Sequence, residues 1–380
     1  MCFLRQFIIL VILRYNQTMV KSAYIHIPFC KSKCHYCSFI SFNKFELKEE
    51  YLKSLSKEID YFYNKEVLDT IYFGGGTPSC LTVSELENIL NKLNFNNSTE
   101  ITIECNPDDC DYEYLKSLFD TGINRISMGC QTFNDEILKQ INRRHSSSQV
   151  FSAVENARKA GFKNISLDFI YGLPNQNLQM FLKDLEKATE LGIQHISLYG
   201  LKLEEGCYFY RNLPQNLADD DEQADMYLEA INLLTKLGYE HYEISNFSLS
   251  GHNSRHNLTY WDNKEYYGFG VAAHGYTDNI RYGNKDTIES YIKTPTEHKN
   301  SKLLTKQEQL EEEIFLGLRK MEGIDISHIN SKYNIDFQKK YNNILNKYAT
   351  LNLLKKTSRG YKFTPNGILV SNVVLADFLD

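Results

Sequence analysis

A chain of 380 residues is long enough for one large domain and a second, smaller one. Hydrophobic residues make up 42% and charged residues 24%, which is typical of a soluble globular protein. The formal net charge of −6 gives no general attraction to nucleic acid or to anionic lipid, so we expect no nucleic-acid partner. The nine cysteines show no disulfide-like pattern, which indicates a reducing, cytoplasmic environment.

Residues 1–18 are predicted to be an N-terminal extension with little order. Residues 7–13 form an apolar run that is too short to span a bilayer, and no small-residue cleavage site of a signal peptide follows it. Met19 could be the true start of the protein. A weak contact with a membrane surface is the alternative interpretation of this segment.

Apolar strands alternate with amphipathic helices along the next two hundred residues. The strands are predicted at 22–27, 69–73, 101–104, 125–129, 165–169 and 195–199. The helices are predicted at 47–64, 82–94, 111–121, 148–160, 177–191 and 220–237. Four helices end at a glycine that can take the left-handed conformation, namely Gly122, Gly161, Gly192 and Gly238, and each glycine leads into a strand. The repeated strand–helix unit predicts a parallel sheet that forms a TIM-type (β/α)6 partial barrel.

A smaller α+β domain is predicted to follow the barrel. Residues 277–295 resemble a connector, and helices are predicted at 306–320, 336–348 and 368–379. Two short strands between 351 and 363 would give the domain a winged-helix-like shape. We expect it to cap the barrel, because the negative net charge disfavours nucleic-acid binding.

Three cysteines follow the first predicted strand within eight residues: Cys30, Cys34 and Cys37. Three soft thiolate ligands on one loop suit an iron–sulfur cluster, in which each Cys holds one iron. A [4Fe–4S] cluster has four irons, so one iron would stay open to a small chelating molecule. A zinc site with His26 or His35 as the fourth ligand, or a set of structural cysteines, are the alternatives.

Polar and glycine residues follow the later strands, at the rim where a barrel of this type carries its chemistry. Residues 74–76 are glycines, so backbone there can approach a ligand closely, although a tight turn would also explain them. Glu104 and Asp168 lie in strands that are predicted to be buried, and a buried carboxylate needs a partner. Each could pair with a structural Arg or bind an amino group or a ribose. Their common position at one rim favours a ligand.

Five motifs carry a resemblance to the radical S-adenosylmethionine superfamily. They are Tyr24-Ile-His-Ile-Pro-Phe-Cys30, Gly74-Gly-Gly-Thr-Pro-Ser79, Ile103-Glu-Cys-Asn-Pro107, Asn124-Arg-Ile-Ser-Met-Gly-Cys-Gln131 and Asp168-Phe-Ile-Tyr-Gly-Leu-Pro174. More narrowly, the chain resembles the branch around oxygen-independent coproporphyrinogen III oxidase from about residue 24 to the C-terminus. The resemblance implies a radical S-adenosylmethionine barrel over residues 19–276 and a linker with a HemN-like C-terminal domain over residues 277–380.

The resemblance also implies a role for individual residues. The cluster ligands would be Cys30, Cys34 and Cys37. The residues that contact S-adenosylmethionine would be Tyr24, Gly75, Gly76, Thr77 and Glu104. In the oxidase, positions that match Gln131, Arg143 and Asp168 hold a second S-adenosylmethionine molecule. The chemistry implied is reduction of the sulfonium by the cluster, which gives a 5′-deoxyadenosyl radical.

The chain departs from the oxidase in two places. Phe39 stands where the oxidase has a further cysteine, and His256-Asn-Leu-Thr-Tyr-Trp261 resembles a motif of the HemW-type heme chaperones. An imidazole is the usual axial ligand of heme iron, so His256 is a candidate heme-binding residue, with His252 and His274 as rivals. A hydrogen-bonded structural histidine is the alternative interpretation of His256.

The function implied is that of a cytoplasmic heme chaperone. It would bind a [4Fe–4S] cluster, S-adenosylmethionine and heme, and would deliver heme to apoproteins such as respiratory cytochromes. The alternative is an enzyme, oxygen-independent coproporphyrinogen III oxidase. We expect a monomer or a dimer.

Overall fold

The computed structural model describes residues 20–379, so the predictions for residues 1–18 lie outside the described residues. The first six strands are β1 (Ser22–Ile27), β2 (Thr70–Gly75), β3 (Glu100–Cys105), β4 (Arg125–Gln131), β5 (Ile165–Tyr171) and β6 (His195–Gly200). Neighbouring strands in this series pair in parallel, as predicted. Each begins within one residue of its predicted start.

Helices lie between and after these strands, and the longer ones cover the outside of the sheet. They are α1 (Lys48–Phe62), α2 (Val83–Leu90), α3 (Tyr112–Asp120), α4 (Asp135–Gln140), α5 (Ser147–Ala160), α6 (Leu178–Glu190), α7 (Tyr208–Arg211) and α8 (Asp220–Lys236). Side chains such as Ile25, Phe73 and Met128 point from the strands into the helices and have no exposed surface. Burial of this apolar layer is the main force that holds helices and sheet together.

The lumen-facing side of the same strands is polar. Because side chains alternate along a strand, each strand places its apolar residues under the helices and its polar residues inside the barrel. The buried lumen residues include Ser22, His26, Thr70, Glu100, Thr102, Arg125, Ser127, Ser166, His195 and Ser197. The barrel therefore encloses a polar column that must be satisfied by hydrogen bonds.

Within the described part of the chain the sheet has nine strands, in the order β7-β8-β6-β5-β4-β3-β2-β1-β9. The added strands are β7 (Glu240–Glu243), β8 (Asn246–Ser248) and β9 (Tyr267–Phe269). Gly238 leads into β7, but β7 pairs antiparallel with β8 and β8 pairs antiparallel with β6. The fourth glycine junction thus does not continue the parallel repeat as its sequence suggested.

A short helix, α9 (Arg255–Trp261), closes the amino-terminal end of the barrel. Glu100, the first residue of β3, accepts hydrogen bonds from the backbone amides of Arg255 and His256 at 3.2 and 3.0 Å. The hydroxyls of Ser22 and Thr259 lie 3.1 Å apart. The motif that carries His256 therefore lies at the end of the barrel opposite the cysteine loop.

Residues beyond the barrel form two three-stranded sheets and several helices. The strands are β10 (His274–Thr277), β11 (Ile280–Gly283), β12 (Asn300–Leu303), β13 (Ile324–Asp325), β14 (Leu354–Lys356) and β15 (Gly360–Phe363). The helices are α10 (Ile288–Lys293), α11 (Lys306–Leu318), α12 (Ile326–Tyr333), α13 (Phe337–Lys340), α14 (Asn342–Thr350), α15 (Pro365–Leu369) and α16 (Ser371–Ala376). The predicted connector 277–295 therefore contains a strand and a helix. The boundary at residue 276 stays a prediction, and β10 pairs with β11 across it.

The C-terminal helices and the β13-β15-β14 sheet enclose a core of their own, as expected for a winged-helix-like domain. Tyr227 of α8 reaches into this core from the barrel. Backbone bonds from Ile244 to Arg319 (3.1 Å) and from Met321 to Tyr242 (3.0 Å) join the domain to the edge strand β7. Within residues 20–379, no helix has the length and apolar character needed to cross a membrane.

Candidate functional site

The cysteine loop leaves β1 at the carboxyl end of the sheet, where it was predicted. The backbone amide of Cys30 bonds to the carbonyl of Phe42 at 3.0 Å, and the amide of Cys37 bonds to the carbonyl of Cys34 at 3.2 Å. The thiol of Cys30 lies 3.3 Å from the hydroxyl of Thr77. Burial raises the pKa of the Cys37 thiol to about 11. A positive charge or a metal ion beside the Cys37 thiol would favour its thiolate form at neutral pH.

The three thiols are free and line one cavity of about 500 Å³. In the described part of the chain, no three side chains of metal-binding type gather as tightly as the ligands of a single ion do. A [4Fe–4S] cluster makes a different demand, one thiolate for each of three irons. Three free thiols around one cavity fit that demand.

Most of the predicted cofactor-binding residues line the same cavity. They are Gly75, Gly76, Thr77, Glu104, Gln131, Arg143 and Asp168. Two predicted residues, Tyr24 and His256, do not line it. The cavity is also lined by Asn106 and Tyr199, which lie at the rim predicted from the sequence, and by Ser127, to which the sequence assigned no role. Strand alternation could have found Ser127, because it lies an even number of residues before Gln131 on the same strand.

The glycine loop packs against β1 and the residues just after it so tightly that side chains are excluded. Gly75 has a φ of +111°, and a Cβ there would lie 2.6 Å from the His26 ring. A Cβ on Gly76 would lie 2.9 Å from the backbone oxygens of Ile27 and Phe29. The amide of Gly76 bonds to the carbonyl of Ile27 at 2.8 Å. These glycines therefore allow backbone to form the cavity wall, as the sequence predicted.

Two carboxylates form the cavity floor. Glu104 accepts hydrogen bonds from the Tyr72 hydroxyl at 2.9 Å and from the Gly75 amide at 3.2 Å. Asp168 accepts from the Ser127 hydroxyl at 3.1 Å. Burial raises the pKa of Glu104 to about 7 and also raises the pKa of Asp168. A cationic ligand above them would favour their ionised forms.

Arg143 spans the cavity from the β4 side to the cysteine loop. Its guanidinium donates to Asn106 Oδ1 at 2.9 Å, to the Gly129 carbonyl at 2.6 Å and to the Cys34 thiol at 3.5 Å. It brings a positive charge to the Cys34 thiol. Gln131 lies beside it, with a φ of +68° at a bulge in β4. Such strained backbone is often found where a side chain is aimed at a ligand.

Tyr24 lies one layer below the cavity. Its ring stacks on Tyr72 at 6.1 Å between centroids, and its hydroxyl lies 3.1 Å from His26 Nδ1. His26 Nε2 lies 2.9 Å from the carbonyl oxygen of Ile40. Both ring nitrogens of His26 thus have protein partners, so His26 would have to give up one of these contacts to act as the zinc ligand considered above.

His256 is not brought to the cavity. It is 1% exposed, and its Nδ1 and Nε2 atoms lie 2.8 and 2.7 Å from the hydroxyls of Thr70 and Tyr260. Its ring stacks on Tyr72 at 5.1 Å between centroids. Burial lowers its pKa to about 3, so the imidazole is neutral. This geometry matches the structural interpretation, and binding to heme iron would require one of these hydrogen bonds to open.

Comparisons with known proteins agree with this geometry. A model of the radical SAM superfamily matches residues 24–188, and a model of the HemN C-terminal domain matches residues 304–370. The heme chaperone HemW of Lactococcus lactis is 42% identical over 94% of this chain and 97% of its own length. The chain belongs to the HemW family. The heme chaperone HemW of Bacillus subtilis is 38% identical over 95% of this chain and 99% of its own length.

One solved structure shows the fold of this HemW-family chain. Coproporphyrinogen III oxidase (HemN) from Escherichia coli superposes with a TM-score of 0.84 over 96% of this chain and 91% of that chain, at 23% identity. The predicted partial barrel of the radical SAM kind with a smaller C-terminal domain is therefore confirmed. At that level of identity the likeness concerns the fold and not the activity.

Proposed function

We propose that this HemW-family protein binds a [4Fe–4S] cluster, S-adenosylmethionine and heme, and transfers heme to apoproteins such as respiratory cytochromes. One observation carries the proposal. Three free cysteines, a glycine wall and two buried carboxylates surround a single cavity of about 500 Å³. Curated relatives that are similar over nearly their whole length are named heme chaperones, which supports the carrier function.

Each group of cavity residues would have a separate role that follows from its chemistry. Cys30, Cys34 and Cys37 would hold the cluster, and Arg143 would offset the negative charge of the Cys34 thiolate. The glycine wall and Thr77 would let S-adenosylmethionine approach backbone closely. The cluster, when bound, supplies one-electron reduction of the sulfonium. Glu104 and Asp168 would bind amino and hydroxyl groups of the ligand, and Gln131 and Arg143 would bind a second molecule, as the family resemblance implies.

Heme contact is proposed for the region of α9, which carries Tyr260 and Trp261 beside His256. The His256–Tyr260 hydrogen bond at 2.7 Å would have to open before His256 could bind iron. His274 is exposed and stays a rival ligand. Trp261 is the only tryptophan in the sequence, so its fluorescence reports on this region alone.

A hemin titration tests the carrier function. We expect a saturable Soret band and quenching of Trp261 at micromolar hemin, and an iron-free porphyrin separates ring stacking from iron ligation. No saturable change in either signal would contradict heme binding. An anaerobic assay with dithionite, S-adenosylmethionine and coproporphyrinogen III tests the alternative. We expect no protoporphyrinogen IX, and turnover would replace the carrier function with that of an oxidase.

A further inference from the structure

Arg125 is a buried cation inside the barrel. It is the first residue of β4, it pairs with Thr102 of β3, and only 2% of it is exposed. It lies on the lumen side of the strand, below Ser127 and Gly129, whose neighbours form the cavity floor. A charge at such a position is costly unless it is compensated by other groups.

The guanidinium of Arg125 lacks a protein partner at one of its nitrogens. Its Nε atom and the hydroxyl of neighbouring Thr102 are both buried without a protein partner. No carboxylate of the described residues lies within 4 Å, the limit for a direct ion pair. Two unpartnered polar groups side by side in a polar lumen are a site for ordered water. Arg125 therefore acts on its surroundings through its charge and not through a direct salt bridge.

The charge of Arg125 acts on both carboxylates of the cavity floor. Burial raises the pKa of Glu104 and Asp168, and Arg125 opposes that rise in each case. Other titratable groups that face one or both carboxylates are Tyr24, Tyr72, Tyr199 and Tyr260. The pKa values of the nearby histidines His195 and His256 are lowered by burial and by Arg125, so these rings stay neutral. Arg143 is a second cation that lines the same cavity, whereas Arg125 is the cation whose charge opposes the pKa rise of both carboxylates.

We propose that Arg125 is a positioning residue that favours the ionised forms of Glu104 and Asp168, so that the cavity floor can hold a ligand with a cationic sulfonium or ammonium group. This inference rests on the proposed function, because it assumes that the floor binds S-adenosylmethionine. Arg125 does not contact the ligand itself. Its role is to supply the opposing charge that lets two buried carboxylates stay negative side by side.

The experiment compares S-adenosylmethionine binding by the reconstituted holoprotein at several pH values, using calorimetry. Arg125→Met keeps the length of the side chain and removes its charge, and Arg125→Lys keeps the charge. Thr102→Val is a matched control that alters the same lumen layer without altering charge. A nearby opposite charge lowers a carboxyl pKa by about one to three units, so without Arg125 the ionised fraction of Glu104 at pH 7 should fall from about half to about a tenth or less. We therefore expect R125M to bind at least about 5-fold more weakly at pH 7.

The pH profile separates an electrostatic role from a merely structural one. We expect the affinity of R125M to return towards that of the wild type near pH 9, where the carboxylates ionise without help. R125K and Thr102→Val should keep the wild-type profile. Equal binding by R125M at every pH, or a loss at pH 7 that high pH does not restore, would overturn the role of Arg125.

If R125M does not fold, a second measurement tests the inference about Arg125. The infrared band of protonated carboxyl groups in the ligand-free wild type, assigned by its loss in Glu104→Gln, should titrate at or below about pH 7. Titration above about pH 8 would overturn the inference. Failure of the proposed function gives a different result from failure of the Arg125 inference. In that case the wild type would bind no S-adenosylmethionine at any pH, and the infrared titration would still test the role of Arg125.

Discussion

Replacing His256 by Ala tests whether this residue supports the barrel or is free to bind heme. The substitution removes hydrogen bonds of 2.8 and 2.7 Å to Thr70 and Tyr260 and leaves the buried Thr70 hydroxyl without a partner. Two lost hydrogen bonds, an unsatisfied hydroxyl and the space left by the ring together predict a loss of about 3–5 kcal/mol in the free energy of unfolding.

Denaturant unfolding of wild type and variant measures this loss. His274→Ala is the matched control, because His274 is exposed and its removal should cost less than about 0.5 kcal/mol. The difference between wild type and His256→Ala should also shrink with acid. The folded pKa of His256 is lowered to about 3, so the wild type loses stability as pH falls below the unfolded value of about 6.5, whereas the variant has no such group.

A stable His256→Ala protein would refute this reasoning. If the variant unfolds within about 1 kcal/mol of the wild type and has lost the hemin-induced Soret band, His256 is a heme ligand and not a support of the barrel. If both histidine variants keep the Soret band, the heme ligand lies elsewhere.

Two further predictions concern the cavity itself. Cys34→Ala should hold less iron and sulfide after anaerobic reconstitution than the wild type. Cys110 lies outside the cavity, so Cys110→Ala should load like the wild type and serves as the control. Equal loading of Cys34→Ala and wild type would reject the cluster assignment. Gly75→Ala should cost about 3 kcal/mol and weaken S-adenosylmethionine binding, because its Cβ would meet the His26 ring at 2.6 Å. Gly238 has a similar positive φ of +89°, but a Cβ there would have no atom within 4 Å. Gly238→Ala should therefore lower the free energy of unfolding by only about 1 kcal/mol. Equal losses in the two variants would show that backbone strain and not crowding determines the effect at Gly75.

Much of the barrel could be predicted because two local patterns repeat along the chain, one in the strands and one at the helix ends. Outward residues such as Phe73 and Met128 are apolar, and the helices between strands end at glycines with positive φ. These are local signals, and they located all six parallel strands. The cavity residues could also be predicted, since parallel strands bring their carboxyl ends to one edge.

The rest depended on contacts that no local pattern encodes. Gly238 precedes a strand as the other three glycines do, but the short hairpin after it reverses the chain, so β7 and β8 run antiparallel. The sequence around His256 shows which side chains are present, but it does not show that α9 packs against the amino-terminal ends of β1, β2 and β3. Arg125 stands at the start of an ordinary strand, and only the absence of a partner in the assembled lumen sets it apart.

The pairing of β9 with β1 has a consequence for how the protein is made. Ala23 lies beside Tyr267, about 240 residues later in the chain, and α9 closes the barrel only from residue 255 onward. During synthesis the polar lumen therefore stays open to water until most of the chain has left the ribosome. Contacts between such distant segments form slowly, so we expect the last step of folding to be closure of this seam rather than formation of any single strand–helix unit.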